Sequence, residues 1–167
     1  AKQRYRAALT LLTPPRMTER HIECHLLLKN AGTEPWDATG ENPLRVGCRV
    51  FPLHGDQPLI EPRIPLSANV VPGQTQTLRC LIDRGPLDVH AKVRLSFDLV
   101  REYLYWFEDL GSAPLIVPIG IDAAGNAVLT TPEGTQTEAR LPRESIVKQR
   151  AEPFLILRET PLQRKMI

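Results

Sequence analysis

Ala91-Lys92-Val93-Arg94-Leu95-Ser96-Phe97-Asp98-Leu99-Val100 is apolar at every second position, and that period decides the fold. Val93, Leu95, Phe97 and Leu99 fall on one side of an extended chain, with Lys92, Arg94, Ser96 and Asp98 on the other. The alternation then runs into Arg101-Glu102-Tyr103-Leu104-Tyr105-Trp106-Phe107-Glu108-Asp109-Leu110-Gly111-Ser112. There Leu99, Tyr103, Trp106 and Leu110 also match a helical spacing, with Glu108 and Asp109 on the opposite side. Tyr, Trp, Phe and Val prefer pleated surfaces and the period of two continues from Val93, so the segment reads as strand, turn, strand.

Working outward, the same period recurs between turn signals. Ala7 to Leu12 reads as a first strand stopped by Pro14-Pro15. His21 to Asn30 turns Ile22, Cys24, Leu26 and Leu28 inward, and Asn30-Ala31-Gly32-Thr33 forms a turn that delivers Trp36. Leu44, Val46, Cys48 and Val50 form a second inward set, against Arg45, Gly47 and Arg49. After a Pro-rich connection, Pro72-Gly73 precedes Thr75 to Ile82, where Leu78, Cys80 and Ile82 alternate with Thr77, Arg79 and Leu81, and Gly85-Pro86 closes the strand. Beyond Pro114, Ile119 to Leu129 reads as a hairpin around Ala124-Gly125-Asn126. A polar stretch follows over 130–138, then a short helix near Pro142-Arg143-Glu144-Ser145 and an extended piece from Phe154 to Leu157. The expected architecture is an all-β, antiparallel β-sandwich of roughly seven to nine strands over residues 1–117, with a C-terminal hairpin and tail over 118–167 packed on it.

Composition bounds the function. The 167 residues hold enough apolar material for a core without staples. Lys and Arg total 21 against 19 acidic residues, a net charge of +2, and no basic run is dense enough to track a phosphate backbone, which argues against nucleic acid. No apolar stretch approaches the roughly 20 residues of a membrane helix. Three widely spaced cysteines, Cys24, Cys48 and Cys80, suit reduced thiols and a cytoplasmic location. The chain opens at Ala1 without a signal-peptide pattern and reads as a piece of a larger protein.

Catalytic patterns are scarce. His21, Cys24 and His25 hint at a metal, but on a strand Cys24 points away from both histidines and no second ligand pair completes a tetrahedral shell. The dispersed glycines form no phosphate cradle, no Gly-x-Ser-x-Gly holds a nucleophile, and no cofactor is implied. Asp98, Glu102, Glu108 and Asp109 are explained as well by solvation, or by pairing with Arg101, as by acid–base chemistry. The aromatics remain. Trp36, Tyr103, Tyr105, Trp106 and Phe107 could stack on sugar rings while Arg and carboxylate groups fix hydroxyls, although Phe107 fits the core and Trp36 could plug one end of the sandwich. Tyr103 and Tyr105 are expected on one face.

The order of several motifs resembles an immunoglobulin-like β-sandwich module attached to bacterial glycosyltransferases and methyltransferases of surface-polysaccharide gene clusters. The matching residues are Asn30, Gly32 and Trp36; Asn42-Pro43-Leu44-Arg45-Val46-Gly47; Arg63 with Pro65-Leu66; Pro72-Gly73; and Asp98-Leu99-Val100, Glu102, Trp106-Phe107 and Gly111-Ser112. The likeness spans residues 5 to 117. It departs at Asp88-Val89-His90-Ala91, where that family has a Pro-Gly-x-Tyr turn. The resemblance implies a noncatalytic accessory module that binds a glycan or positions a neighbouring domain, with Trp36, Arg101, Tyr103 and Tyr105 as ligand contacts. Arg45, Arg63, Asp98, Glu102, Trp106 and Phe107 are its structural motif. A buried Arg45 or Arg101 paired with Glu102 would need hydrogen bonds or a polar ligand to offset its desolvation. The alternative is an interaction or dimerisation module with no glycan ligand.

Overall fold

The computed structural model of the chain describes residues 3–85 and 87–135. Ten strands form two antiparallel sheets: β1 (Ala7–Leu11), β2 (Arg16–Met17), β3 (His21–Asn30), β4 (Leu44–Pro52), β5 (Arg63–Pro65), β6 (Thr75–Asp83), β7 (Lys92–Arg101), β8 (Tyr105–Trp106), β9 (Leu115–Ile121) and β10 (Ala127–Leu129). One 3-10 turn, Phe107–Leu110, follows β8. In the first sheet β3 is central, with β1 and β2 along one side and β6 along the other. The second runs β10-β9-β7-β4-β5, with β8 beside the end of β7. This is the all-β antiparallel sandwich that the period of two requires.

The core lies between the sheets. Ile22, Cys24, Leu26, Leu28, Cys80 and Ile82 of the first sheet face Val46, Cys48, Val50, Leu95, Phe97, Leu99, Leu115 and Val117 of the second, all fully buried. Cys24 and Cys80 are register partners on β3 and β6, and the three thiols are free and buried. Burial pushes the Cys80 thiol up to about 12 and raises those of Cys24 and Cys48 well above the ordinary thiol range.

Asn30 explains the turn that the sequence marks. Its buried Nδ2 donates to the Glu34 and Val70 carbonyls at 2.9 Å each, and its Oδ1 accepts the Gly32 N–H at 3.1 Å. Trp36 and Val70 then form an isolated bridge, which draws the indole inward. Trp36 is 1% exposed and meets Phe107 edge to face at 6.0 Å. It closes the core and offers no ring to a ligand, which corrects its reading as a stacking platform.

The expected hairpin over 119–129 forms. Asp122 accepts the Ala124 and Asn126 N–H groups in the turn. Strand β9 runs unbroken through residue 117, so this hairpin extends the sheet itself. The readings of a helix near Pro142 and an extended piece at Phe154 to Leu157 fall outside the described residues. Among the described residues, no helix is long and apolar enough to cross a membrane.

Candidate functional site

The outward residues of β4 are Arg45, Gly47 and Arg49, and the neighbouring strands bring charge to each. Gly47 opposes Asp98 on β7 and Arg63 on β5. A Cβ on Gly47 would stand 2.5 Å from Trp106 Cη2, so only glycine lets the indole lie on the sheet. The Arg49 guanidinium stacks over that indole at 3.6 Å from its centroid, and Arg63 lies 4.8 Å away. Arg49 also faces Glu61 at 3.7 Å and Glu108 at 3.5 Å.

Glu102 follows β7 and is the hub of the second group. Its carboxylate accepts from Arg45 Nη1 at 3.2 Å and from Arg63 Nε at 3.1 and 3.3 Å. The Glu102 side chain is 12% exposed and those of Arg45 and Arg63 are 39% and 29% exposed, so two cations offset the desolvation of one anion while keeping contact with water themselves. Arg101 is not its partner, contrary to one expectation. Successive strand residues point to opposite faces, and the Arg101 guanidinium faces the Tyr105 hydroxyl instead.

Asp98 differs from every other carboxylate in the network. It sits on the outer side of β7 as the period of two requires, yet it is 2% exposed, because β8 and the 3-10 turn fold back over it. Its Oδ2 accepts the Glu108 N–H at 2.8 Å and its Oδ1 the Leu99 N–H at 2.9 Å. Among the described residues, no cation forms an ion pair with it. Burial therefore dominates and raises its pKa to about 7, with the two amides and Arg49 opposing and Glu108 adding repulsion. Surface solvation and pairing with Arg101 are both replaced by backbone capture.

The three expected tyrosine and arginine contacts separate. Tyr105 packs against Tyr5 at 5.3 Å and Phe107 at 6.4 Å between ring centroids, and burial raises its hydroxyl pKa. Tyr103 is 93% exposed with a backbone φ of 67°, a left-handed conformation that breaks the alternation and parts it from Tyr105. Leu104 beside it is 57% exposed. Its N–H donates to the Arg101 carbonyl at 3.0 Å and closes the turn. Phe107 is fully buried, as its core reading requires.

A second charged cluster, on the outer face of the first sheet, escaped sequence reasoning. Glu23 accepts from Arg16 at 2.8 Å, from Arg79 at 2.8 Å and pairs with His25 at 2.9 Å. These donors hold its carboxyl down at about 2. The outward set of His21, Glu23 and His25 was legible, but nothing in it tells that β6 lies alongside. Cys24 points into the core, away from His25. Among the described residues, no group of three or more His, Cys, Asp or Glu could hold a metal ion. Two surface hollows, one lined by His90, Lys92 and Asp122 and one by Arg20, His21 and Asp83, contain no Tyr, Trp or Phe. The chain matches no family model, no curated protein and no solved structure.

Proposed function

We propose that this domain is noncatalytic and works by contact, as an accessory module that docks a partner protein or a neighbouring domain on the β7–β8 corner. The observation that carries this reading is Tyr103. A large aromatic residue in a left-handed conformation is strained by about 1 kcal/mol or more, and Gly or Asn would occupy the turn at lower cost. With 93% of its surface in water, the ring gives the fold nothing in return. Its use therefore lies outside the molecule. Glu102, the preceding residue, is clamped by Arg45 and Arg63, so the corner is presented rigidly, and rigid aromatic anchors dominate contact energies. An accessory positioning role is also what the motif resemblance to polysaccharide-assembly modules implies.

A glycan-binding reading has one observation in its favour. The half-buried Trp106 stands among Arg49, Arg63, Glu61 and Glu108, a flat ring beside fixed charges of both signs. Arg49 already covers the ring, however, so a sugar would have to displace it.

The test replaces Tyr103 with a benzophenone amino acid in the full chain and irradiates it in cells. A discrete adduct is expected at position 103 and none from the same replacement at exposed Glu41. No adduct, or equal adducts at both positions, overturns the proposal. Saccharide titration of the domain, followed at the Trp106 indole N–H by NMR, decides the glycan reading. Tyr103→Gly should abolish the contact while changing stability by under about 1 kcal/mol, because glycine relieves the left-handed strain at some entropic cost.

A further inference from the structure

Strand β6 differs from the other margins of the two sheets. Edge strands β5 and β10 have three residues each, β2 has two, and β1 is buried throughout with its Ala7 N–H on Ser112 Oγ. β6 runs nine residues without Pro, Gly or Lys, and among the described residues no strand pairs with its outer side. Natural edges are normally blunted by such residues or by brevity.

The hydrogen bonds fix which groups face outward. The Asn30 N–H donates to the Gln74 carbonyl and the Arg84 N–H to the Arg20 carbonyl, both at 3.0 Å, so even-numbered backbone groups of β6 turn toward β3. Odd-numbered groups then turn away from it. The Gln76 side chain ties the start of the strand to Ser67 and Ala68. The open part is Thr77, Arg79, Leu81 and Asp83, all with exposed side chains, Leu81 among them at 36%.

An open edge alone names no partner, but these side chains do. When a second copy adds antiparallel about a two-fold axis, odd residues oppose odd residues in one of a few registers. Centring on Arg79 opposes two guanidiniums. Centring on Cys80 sets Arg79 against Leu81. Centring on Leu81 sets leucine against leucine and places Arg79 of each copy opposite Asp83 of the other, with both ion pairs made at once. Among the described residues, Arg79 gives its Nε to Glu23, which leaves its two terminal nitrogens for a carboxylate on the next strand, and Asp83 uses only Oδ1, for the Gly85 N–H. We propose that two copies of this chain pair through β6 in the Leu81-centred register, joining their first sheets into one continuous sheet.

Sedimentation equilibrium on the 167-residue chain is the test, together with Asp83→Arg, Arg79→Asp and Leu81→Lys. The parent should be a dimer. Each substitution sets like charges opposite one another and should weaken dimerisation at least about tenfold. An equimolar mixture of Asp83→Arg with Arg79→Asp should dimerise again, since every facing pair then becomes arginine against aspartate. A parent that stays monomeric, or a dimer untouched by Asp83→Arg and Leu81→Lys, overturns the proposal. Arg79→Asp sets a second carboxylate beside Glu23. Should it fail to fold by near-ultraviolet circular dichroism, the other two variants decide alone.

Discussion

Glu23 and Asp98 occupy corresponding places on opposite sides of the molecule, each on the outer face of one sheet and each nearly shut off from water, yet their proton affinities are displaced in opposite directions. Glu23 is enclosed by Arg16, Arg79 and His25 and is held ionised down to about 2. Asp98 is enclosed by a tryptophan-bearing corner and two backbone amides, and it takes up a proton near 7. Neutral donors cannot replace lost hydration as cations do. Enclosure by itself does not set the charge of a carboxylate; the chemistry of the wall does.

The sharpest way to separate the two is by pH. The folded pKa of Asp98 lies above its ordinary value of 3.8, so its contribution favours the fold fully below about pH 4 and is lost as pH rises through 7. The loss is on the order of 4 kcal/mol, because each tenfold difference in proton affinity between the folded and unfolded chain is worth about 1.4 kcal/mol. In urea melts across pH 4 to 8, Asp98→Asn should remove this decline. At any single pH the variant has its own cost from turning an amide donor toward a backbone N–H, but the slope should be gone. A slope unchanged in the variant would mean that another group titrates.

Gly47→Ala probes the wall. The added methyl group would push the Trp106 ring off the sheet beside Asp98, costing about 1–3 kcal/mol in stability. Water admitted there should bring the Asp98 titration down toward the ordinary aspartate range, as followed by carboxyl carbon NMR. An unchanged titration would show that the 3-10 turn alone seals the group.

Glu23→Gln should have the smallest effect at neutral pH, because Arg16 and Arg79 are 72% and 59% exposed and water screens them. Its consequence is confined to acid. A carboxyl held near 2, below its ordinary 4.5, contributes stability above about pH 4.5 that is lost as pH falls toward 2. Acid unfolding of the variant should lack this limb. Parent and variant with superimposable acid transitions would mean that the three donors stabilise the ionised form no better than water does.

The alternating strands were legible because each has one buried and one exposed face, a pattern that His21–Asn30 and Lys92–Arg101 carry within themselves. What no local window contains is which strands become neighbours. Glu102 was expected to pair with Arg45 or with Arg101, its neighbour in sequence; Arg45, 57 residues away, is a partner, Arg101 is not, and the second partner, Arg63, stands 39 residues away. Trp36, in a loop after Pro35, read either as a stacking ring or as a plug at one end of the sandwich, because the Asn30 clamp on Val70 that draws it inward and decides for the plug spans 40 residues. Tyr103 could not be parted from Tyr105 without knowing that the chain turns left-handed at Tyr103 itself. Most residues of the motif resemblance, Asn30, Gly47, Arg63, Asp98, Glu102 and Trp106 among them, serve internal geometry here. They identify an architecture better than a ligand.

Cys24, Cys48 and Cys80 lie in the seam between the two sheets, with no surface in contact with solvent. An alkylating reagent reaches them only when the layers come apart, so the rate at which the native protein consumes such a reagent measures how often the whole sandwich opens. The domain carries its own clock for that event, placed where local fraying does not advance it.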